Sequence, residues 1–414
     1  MEIKNDAVIF GILMLILAAI FVTSSSNNKR WKKFYTYVPP LLLCYFVPGF
    51  LNWPLGMVNP EESQLYFVAS RYLLPASLVL FCLSIDLKGV FNLGPKALIM
   101  FITATIGIVI GAPIALWISA AIFPDIKEAL PGDEIWRGLS TIAGSWIGGG
   151  ANQTAMKEIY ACKDDLFSSM IIIDVFVANI WMGVLLFGAG RYLQIDKRLK
   201  ADNSSIEDLK HRVESYRASI AKIPTANDVF VILAIGFGAT AIAHLGSDYI
   251  APYMDNHRAF LDKYNLSSLA SGFFWLIVIA TTIGLALSFT KLKKYEGAGA
   301  SRFGSVFIYI LVATIGMKMN FLEAFNNMHY FVIGLIWMLV HVTILLVVAK
   351  IIRAPFFFVA VGSQANIGGA ASAPIVASAF STALAPVGVL LAVLGYALGT
   401  YAAIIATQLM QWTY

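Results

Sequence analysis

The sequence has little charge for its length. Only 13% of its 414 residues are charged, against about 25% in a typical soluble domain. Its hydrophobic share is 59%, against about 45–50% in such domains. A chain with this balance cannot hide all of its apolar surface from water, which argues against an ordinary soluble protein. Part of its surroundings must be lipid.

Chemical motifs are scarce as well. The cysteines Cys44, Cys82 and Cys162 have no metal-ligand spacing and are odd in number, so we predict small core residues. The sequence shows no nucleophile motif, metal-type cluster or nucleotide-binding loop, so we do not expect an enzyme. It shows no basic patch interleaved with aromatic residues, so we expect no nucleic-acid partner.

Long apolar runs dominate what is present. A spanning helix needs about 20 mostly apolar residues, and roughly twelve runs are candidates by that measure. They lie near 7–23, 37–52, 65–85, 95–123, 138–159, 166–192, 228–247, 270–290, 303–318, 329–352, 355–378 and 384–410. The first run is not followed by an A-x-A cleavage site, and we interpret it as a transmembrane helix rather than a signal peptide. The sequence therefore predicts an all-α integral membrane protein.

A polar stretch divides the chain into a first transmembrane repeat (1–192), a polar linker (193–227) and a second transmembrane repeat (228–414). Apolar residues of the linker recur at steps of three and four; they are Ile206, Leu209, Val213, Tyr216 and Ile220. This spacing predicts one apolar stripe on a helix. We interpret it as an amphipathic helix lying on the membrane surface, with a partner-binding helix as the alternative.

The two halves share a glycine turn. Residues 144–153 read "GSWIGGGANQ" and residues 362–372 read "GSQANIGGAAS". In each half the turn follows two apolar runs separated by a short polar break, and a long final helix comes after it. Weak internal symmetry of this kind is typical of secondary transporters.

Glycine clusters inside apolar runs predict broken helices, because each glycine costs about 1 kcal/mol against alanine in a helix. Freed backbone groups in a membrane must face protein or a watery cavity, where they can bind ions. The predicted broken-helix positions are Gly148, Gly149, Gly150, Gly368 and Gly369. The alternative is that small residues such as Gly144 and Gly148 only let helices approach closely.

Polar side chains near these turns are the candidate ion ligands. They are Ser145, Asn152, Gln153, Asp174, Ser363, Gln364 and Asn366, and the hypothesised sodium ligands among them are Asn152, Asp174, Gln364 and Asn366. Asp174 stands deep in an apolar run, where an acid costs several kcal/mol unless paired, solvated or protonated. It is interpreted as a sodium ligand or proton carrier. The alternative is a structural ion pair with Lys318 or Arg71.

The motifs "GGGANQTAMKEIY" and "GSQANIGGAASAP" resemble the YjcL-like bacterial membrane family, a domain of unknown function (number 819). That family is similar to the group of cation/proton antiporters and bile-acid:sodium symporters. The resemblance implies two inverted repeats, a panel domain, and a core domain with two crossing broken helices that moves in alternating access. It implies sodium-binding amides at Asn152, Gln153, Gln364 and Asn366, and an ion-carrying acid at Asp174. Asp174 lacks the paired acid of many electrogenic antiporters.

Together these features favour a secondary active transporter that couples sodium to symport of a small organic, anionic solute. A cation/proton antiporter and a non-transport membrane sensor are the alternatives; a sensor should carry a soluble output domain, and we expect none. The expected partners are a small-molecule substrate and the lipid bilayer of the cell inner (cytoplasmic) membrane. We expect no cofactor besides a coupling Na⁺ or H⁺. Homodimerisation stays open.

The positive charges pose a conflict. Basic loops favour the cytoplasm, and both "NNKRWKK" near 27–33 and the segment 191–222 are basic. Five predicted spans separate them, which places them on opposite sides. The two broken helices are six spans apart, which makes the repeats parallel rather than inverted. Either one span is miscounted or one pair of half-helices does not cross.

Overall fold

A computed structural model gives the fold of residues 2–38, 40–60, 62–84, 93–124, 134–201, 223–263, 266–318, 330–381 and 384–413. Throughout these ranges the regular structure is helical, without a strand. The helices are α1 (Asp6–Ser24), α2 (Lys29–Tyr37), α3 (Pro40–Asn52), α4 (Leu65–Leu83), α5 (Pro95–Ile122), α6 (Ile135–Ile159), α7 (Asp164–Ala189), α8 (Tyr192–Leu199), α9 (Ala226–Asp255), α10 (Arg258–Lys263), α11 (Gly272–Ser288), α12 (Ala300–Lys318), α13 (Tyr330–Ile352), α14 (Phe356–Ile367), α15 (Gly369–Phe380) and α16 (Ala385–Thr413). Two 3₁₀ turns, Ser267–Ala270 and Lys291–Glu296, flank α11.

Local sequence signals explain several helix starts. The Asn5 side chain accepts a hydrogen bond from the backbone N–H of Ala7 and caps α1. Thr225 and Asp228 form a reciprocal capping box at the start of α9. Pro95 opens α5, where its missing N–H costs nothing.

Eight of the described helices are long and apolar enough to cross a membrane, and shorter apolar helices accompany them. Large apolar side chains such as Leu15, Trp117, Phe187 and Leu339 stand well exposed on these helices. Such surfaces are stable against lipid rather than water. The chain is therefore an all-α, multi-pass membrane protein, as the composition predicts.

Helix α6 reverses direction at its glycines. Gly149 has φ 74° and ψ −172°, a conformation that suits glycine. The chain folds back on itself there, and the two arms lie side by side. A Cβ added at Gly144 would lie only 2.6 Å from the carbonyl oxygen of Asn152. At the base of the fold, Arg137 Nη1 donates a hydrogen bond of 2.5 Å to the Tyr160 carbonyl. These contacts make α6 a hairpin, which we call the first hairpin.

Helices α14 and α15 form a second hairpin. Its turn lies at Gly368 and Gly369, and Gly369 has a φ of 58°. Gln364 Nε2 on one arm donates to Ser372 Oγ on the other at 2.7 Å. The rings of Phe357 and Phe380, at the two ends of this hairpin, lie 5.3 Å apart.

These hairpins correct two expectations. The runs near 138–159 and 355–378 fold back as hairpins, so neither is one through-going helix, and eight of the described helices, rather than about twelve, are long and apolar enough to span a membrane. The broken helices also do not cross as through-going helices, because a positive φ at glycine lets the backbone turn back within the membrane. The hairpins open on opposite faces: the base of the first lies beside Asp164, at the start of α7, and the base of the second lies beside Tyr192, just past its end.

The helices pack as two groups. Helices α1, α3, α4, α9, α11 and α12 contact one another and form the group we call the panel. Helices α5, α7, α13 and α16 pack with both hairpins and form the group we call the core. The two groups meet where α4 and α11 of the panel lie against α6 and α16 of the core.

The described parts of the two basic segments, 27–33 and 191–201, lie on one face. Ser84, at the end of α4, bonds to Glu296, and Lys96 donates to the carbonyl of Arg353. Asp196 of α8 accepts from the backbone N–H of Phe356 at the start of the second hairpin. The basic helix α2 (Lys29–Tyr37) follows the end of α1. The start of α1 lies on the other face, where Asp6 ties it to the start of α4. The linker stripe predicted at 206–220 lies outside the described residues.

The hairpin geometry predicts which loops share a face of the membrane. Glu62 and Asp165 are both exposed and can be replaced by cysteine. Glu62 precedes α4, whereas Asp165 follows α4, α5 and the first hairpin. A membrane-impermeant thiol reagent should label both from the same side, and Lys197→Cys from the other side. Labelling of the first two from opposite sides would mean that α6 crosses the membrane.

Candidate functional site

Asp174 lies at the centre of a buried polar cluster that joins the first hairpin to α7. Ser145 Oγ and Gln153 Nε2 donate to its Oδ2 at 2.6 and 3.0 Å. Trp146 Nε1 donates to its Oδ1 at 2.7 Å. The donors come from both arms of the hairpin, so one carboxylate holds the arms together and anchors them to α7.

This carboxylate forms no ion pair with any residue in the described part of the chain. The structural alternative predicted Lys318 or Arg71 as its partner, and both cations pair elsewhere: Lys318 Nζ lies 3.6 Å from Asp164, and Arg71 lies 2.8 Å from Glu158. That alternative is therefore wrong for this arrangement. Asp174 is 6% exposed and is stabilised by neutral donors alone. A buried charge without a counter-ion is the situation that a bound cation would relieve.

Asn152 belongs to a different cluster, against α16. Its Nδ2 donates to the Gly148 carbonyl at 2.9 Å and to the Tyr396 carbonyl at 3.3 Å, and its Oδ1 accepts from Thr400 Oγ1 at 2.6 Å. The break at Gly149 leaves the Gly148 carbonyl without its usual helical hydrogen bond. Asn152 therefore satisfies the freed backbone of the first hairpin and fixes it to α16.

Asn366 makes a similar set of hydrogen bonds from the first arm of the second hairpin. Its Nδ2 donates to the carbonyls of Gly362 and Phe101, and its Oδ1 accepts from Thr105 Oγ1 at 2.8 Å. The second hairpin is fixed to α5 in this way. An asparagine that bonds the carbonyl four residues earlier and a threonine of a neighbouring helix thus occurs in both hairpins.

The remaining predicted ligands also lie in the second hairpin. Ser363 Oγ accepts from Trp181 Nε1 at 2.8 Å and lies 2.8 Å from His341 Nε2. Gln364 donates to Ser372, while its Oε1 atom is buried and has no hydrogen-bond partner among the described residues. A buried amide oxygen without a donor is an acceptor left available to a ligand.

The hairpins converge on α16. A Cβ at Gly395 would lie 2.7 Å from the Ile147 carbonyl and 3.6 Å from the Ala365 carbonyl, so α16 touches the first arms of both. Gly149 and Gly150 at the first tip are partly exposed. A Cβ at Gly150 would lie 4.0 Å from Ile308 of the panel. The first tip therefore lies at the boundary between core and panel.

The predicted ligands thus form several clusters. Ser145, Gln153 and Asp174 come together, whereas Asn152, Asn366 and Gln364 each bond elsewhere. Sequence reasoning missed the partners Trp146, Thr105, Ser372, Tyr396 and Thr400. One signal was available: Gly395 and Gly399 form a G-x-x-x-G pair, the pattern that lets another backbone approach a helix.

Comparison with known proteins adds a family and a relative. The family model described as "Protein of unknown function (DUF819)" matches residues 11–412. The relative is "Uncharacterized membrane protein YjcL" of Bacillus subtilis (strain 168), 22% identical over 358 residues, which cover 83% of each chain. Both hairpins and the Asp174 cluster lie inside the matched range.

The contact between the first hairpin and α16 leaves no room for a side chain. A Cβ at Gly399 would lie 2.5 Å from Gly148 Cα and 2.7 Å from Asn152 Nδ2. Overpacking of this kind costs about 1–3 kcal/mol, so Gly399→Ala should lower the thermal unfolding midpoint in detergent. Gly183→Ala is the matched control, because open space surrounds Gly183. Equal midpoints for the two variants would show that this contact is not tight.

Proposed function

This chain belongs to the DUF819 family, and we propose that it is a secondary active transporter. The observation that supports this most is the pair of glycine-tipped hairpins, which open on opposite faces and converge on α16 inside a separate core. Broken backbone at membrane depth is tolerated where it is buried in protein or lines a watery cavity, and transporters use it to bind ions and substrates. The proposal is a sodium-coupled symporter of a small organic anion that works by alternating access.

The proposed solute site lies between the first tip and the panel. The second arm of the first hairpin begins at Gly150, and backbone N–H groups at a helix start attract anions. Tyr396 borders the same tip, 3.5 Å from the position of a Cβ on Gly149, and its ring stacks on Phe81 of the panel at 4.3 Å. A small carboxylate would find donors on the hairpin and an aromatic wall beside it.

The proposed coupling-ion site narrows to the Asp174 cluster. Asp174, Ser145 and Gln153 offer carboxylate, hydroxyl and amide oxygens, the ligand types that hard cations prefer. The Gln153 amide would turn its oxygen inward when the ion binds. Asn152, Gln364 and Asn366 bond elsewhere in this arrangement and would line the path or hold the hairpins. Proton coupling through the isolated Asp174 carboxyl is the second candidate.

Counting the crossing helices supports the proposed inverted layout. With both hairpins excluded, the first half contributes α1, α3, α4, α5 and α7, and the second contributes α9, α11, α12, α13 and α16. An odd number of crossings per half inverts the second repeat relative to the first. The basic segments then share one face, which the positive-inside rule assigns to the cytoplasm. We propose that this membrane is the cell inner membrane.

Asp174→Asn tests the coupling role, because it keeps the shape and removes the charge. Sodium-driven uptake into proteoliposomes, screened over small organic anions, should fall at least about tenfold, the change that 1.4 kcal/mol of lost binding produces. Asp165→Asn makes the same substitution at an exposed position of α7 and should transport normally. Wild-type uptake with an unchanged pH profile in folded Asp174→Asn protein would contradict the coupling role.

Sodium should also stabilise the protein without any substrate. A ligand that binds only the folded state adds about 2.7 kcal/mol at a hundredfold excess over its dissociation constant. The unfolding midpoint in detergent should rise with sodium more than with potassium, and Gln153→Ala should weaken that rise. Gln364→Ala asks whether the second hairpin contributes. Equal responses to the two cations would count against a sodium site.

A further inference from the structure

Charged side chains cluster where panel and core meet, on the face where the first hairpin opens. The cluster contains Tyr66, Arg71 and Lys318 of the panel, and Lys157, Glu158 and Asp164 of the core. The cluster lies at the hairpin base and takes no part in the Asp174 site.

Several of its contacts join the two groups. Arg71 Nη1 lies 2.8 Å from Glu158 Oε2, and Tyr66 Oη donates to Glu158 Oε1. Lys157 Nζ donates to Tyr66 Oη at 3.0 Å. The phenol of Tyr66 therefore lies between a cation and an anion of the core, and a panel arginine holds the same anion.

A second link runs through α12 and α7. Lys318 Nζ, at the end of α12, lies 3.6 Å from Asp164 Oδ2, and Lys157 Nζ lies 2.6 Å from Asp164 Oδ1. Lys318 Nζ also lies 5.1 Å from the centre of the Tyr66 ring. Both α4 and α12 of the panel are thus tied to the core at this point.

On the panel side of the cluster, α4 departs from regular α-helix. Pro75 has no N–H to donate to the carbonyl of Arg71, four residues earlier. The residues Ala69–Leu73 form a π turn, and His244 of α9 lies 2.9 Å from the freed Arg71 carbonyl. Single π turns are frequent at functional sites. Arg71 is therefore fixed to the panel through its backbone, while its side chain reaches the core.

The core side is continuous with the hairpin tip. Gly150, Thr154 and Glu158 fall four residues apart on the second arm, so they share one face of that helix. Gly150 lies nearest to the panel at Ile308, and Glu158 bonds the panel at Arg71. Thr154, which is fully buried, lies between them on the panel-facing stripe.

The cluster is partly open to water. The side chains of Arg71 and Asp164 are 30% and 34% exposed, so water can reach the groups as the two surfaces part. Charges that are rehydrated on separation avoid the large penalty of a buried, unpaired ion. Apolar contacts alone would hold the two surfaces together without pairing specific side chains.

We propose that these six side chains form a reversible latch that holds the core against the panel on this face. The latch must open before a solute from this side can reach the first hairpin tip. This role rests on the proposed alternating-access function, but opening itself can be measured without transport.

The test uses Thr154→Cys as a reporter of the panel–core boundary, labelled with a membrane-impermeant thiol reagent from the face of the latch. The native cysteines Cys44, Cys82 and Cys162 are buried, and each latch variant without Thr154→Cys gives its own background rate. Adding Glu158→Gln, or Arg71→Gln, should raise the labelling rate of Thr154→Cys at least fivefold, with no solute or gradient present. Asp255→Asn, which removes an exposed pair with Arg258 at the end of α9, should leave the rate unchanged.

A second reporter separates opening from loss of structure. Ser247→Cys lies buried inside the panel, where Ser247 Oγ donates to the Gly272 carbonyl. In a latch variant it should stay unlabelled while Thr154→Cys is labelled. An unchanged Thr154→Cys rate in Glu158→Gln and Arg71→Gln would overturn the proposal, and so would equal labelling of both reporters. Absence of sodium-driven uptake with faster Thr154→Cys labelling would instead reject the transport function and leave the latch standing.

Discussion

The architecture depends on one constraint: a broken backbone inside a membrane must find its hydrogen-bond partners within the protein. In the first hairpin, Asn152 bonds the Gly148 carbonyl beside the break at Gly149. In the second, Gln364 of one arm bonds Ser372 of the other, and Asn366 fixes the first arm to α5. Neighbouring helices must then surround both hairpins, since any lipid-facing gap would leave polar groups unsatisfied. The core is this enclosure, and the panel covers its remaining side.

The same constraint explains why Asp174 is at the centre of the site. A carboxylate is the strongest acceptor that a protein can offer, and here it collects donors from both arms of the first hairpin. It also leaves a buried charge without a counter-ion among the described residues. One group can thus shape the hairpin and create a place for a cation. Binding of an ion would then act on the geometry of the tip.

Sequence reasoning predicted the helical membrane class, the two glycine breaks and the deep acid. It did not predict that each break reverses the chain, because hydropathy measures how apolar a run is and not where it leads. The reversal depends on a backbone angle at Gly149 and another at Gly369. The conflict among basic segments was the available signal, and it left open either a miscounted span or a pair of half-helices that does not cross. The partners of Asp174 could not be predicted, because they depend on the packing of the two arms against α7.

The ion pairs at the hairpin base were also out of reach of the sequence. Lys318 and Arg71 were considered as partners of Asp174, whereas they pair with Asp164 and Glu158 at the base of the first hairpin. These two carboxylates lie at the ends of their helices, where charged residues are ordinary, and no sequence pattern singles them out. Charged side chains therefore occur in two settings: Asp174 is buried without an ion pair among the described residues, and a network of ion pairs lies where panel and core meet.

Movement of the core against the panel is the central claim, and a distance measurement tests it most directly. Spin labels on Lys197→Cys of α8, which is anchored to the second hairpin through Asp196, and on Lys293→Cys beside the panel would report it on the basic face. The distance distribution should shift by ~5 Å, one helical turn, between sodium-free and sodium-plus-solute conditions. A control pair inside the panel should stay fixed. A single core–panel distance that is unchanged under all these conditions would contradict the account.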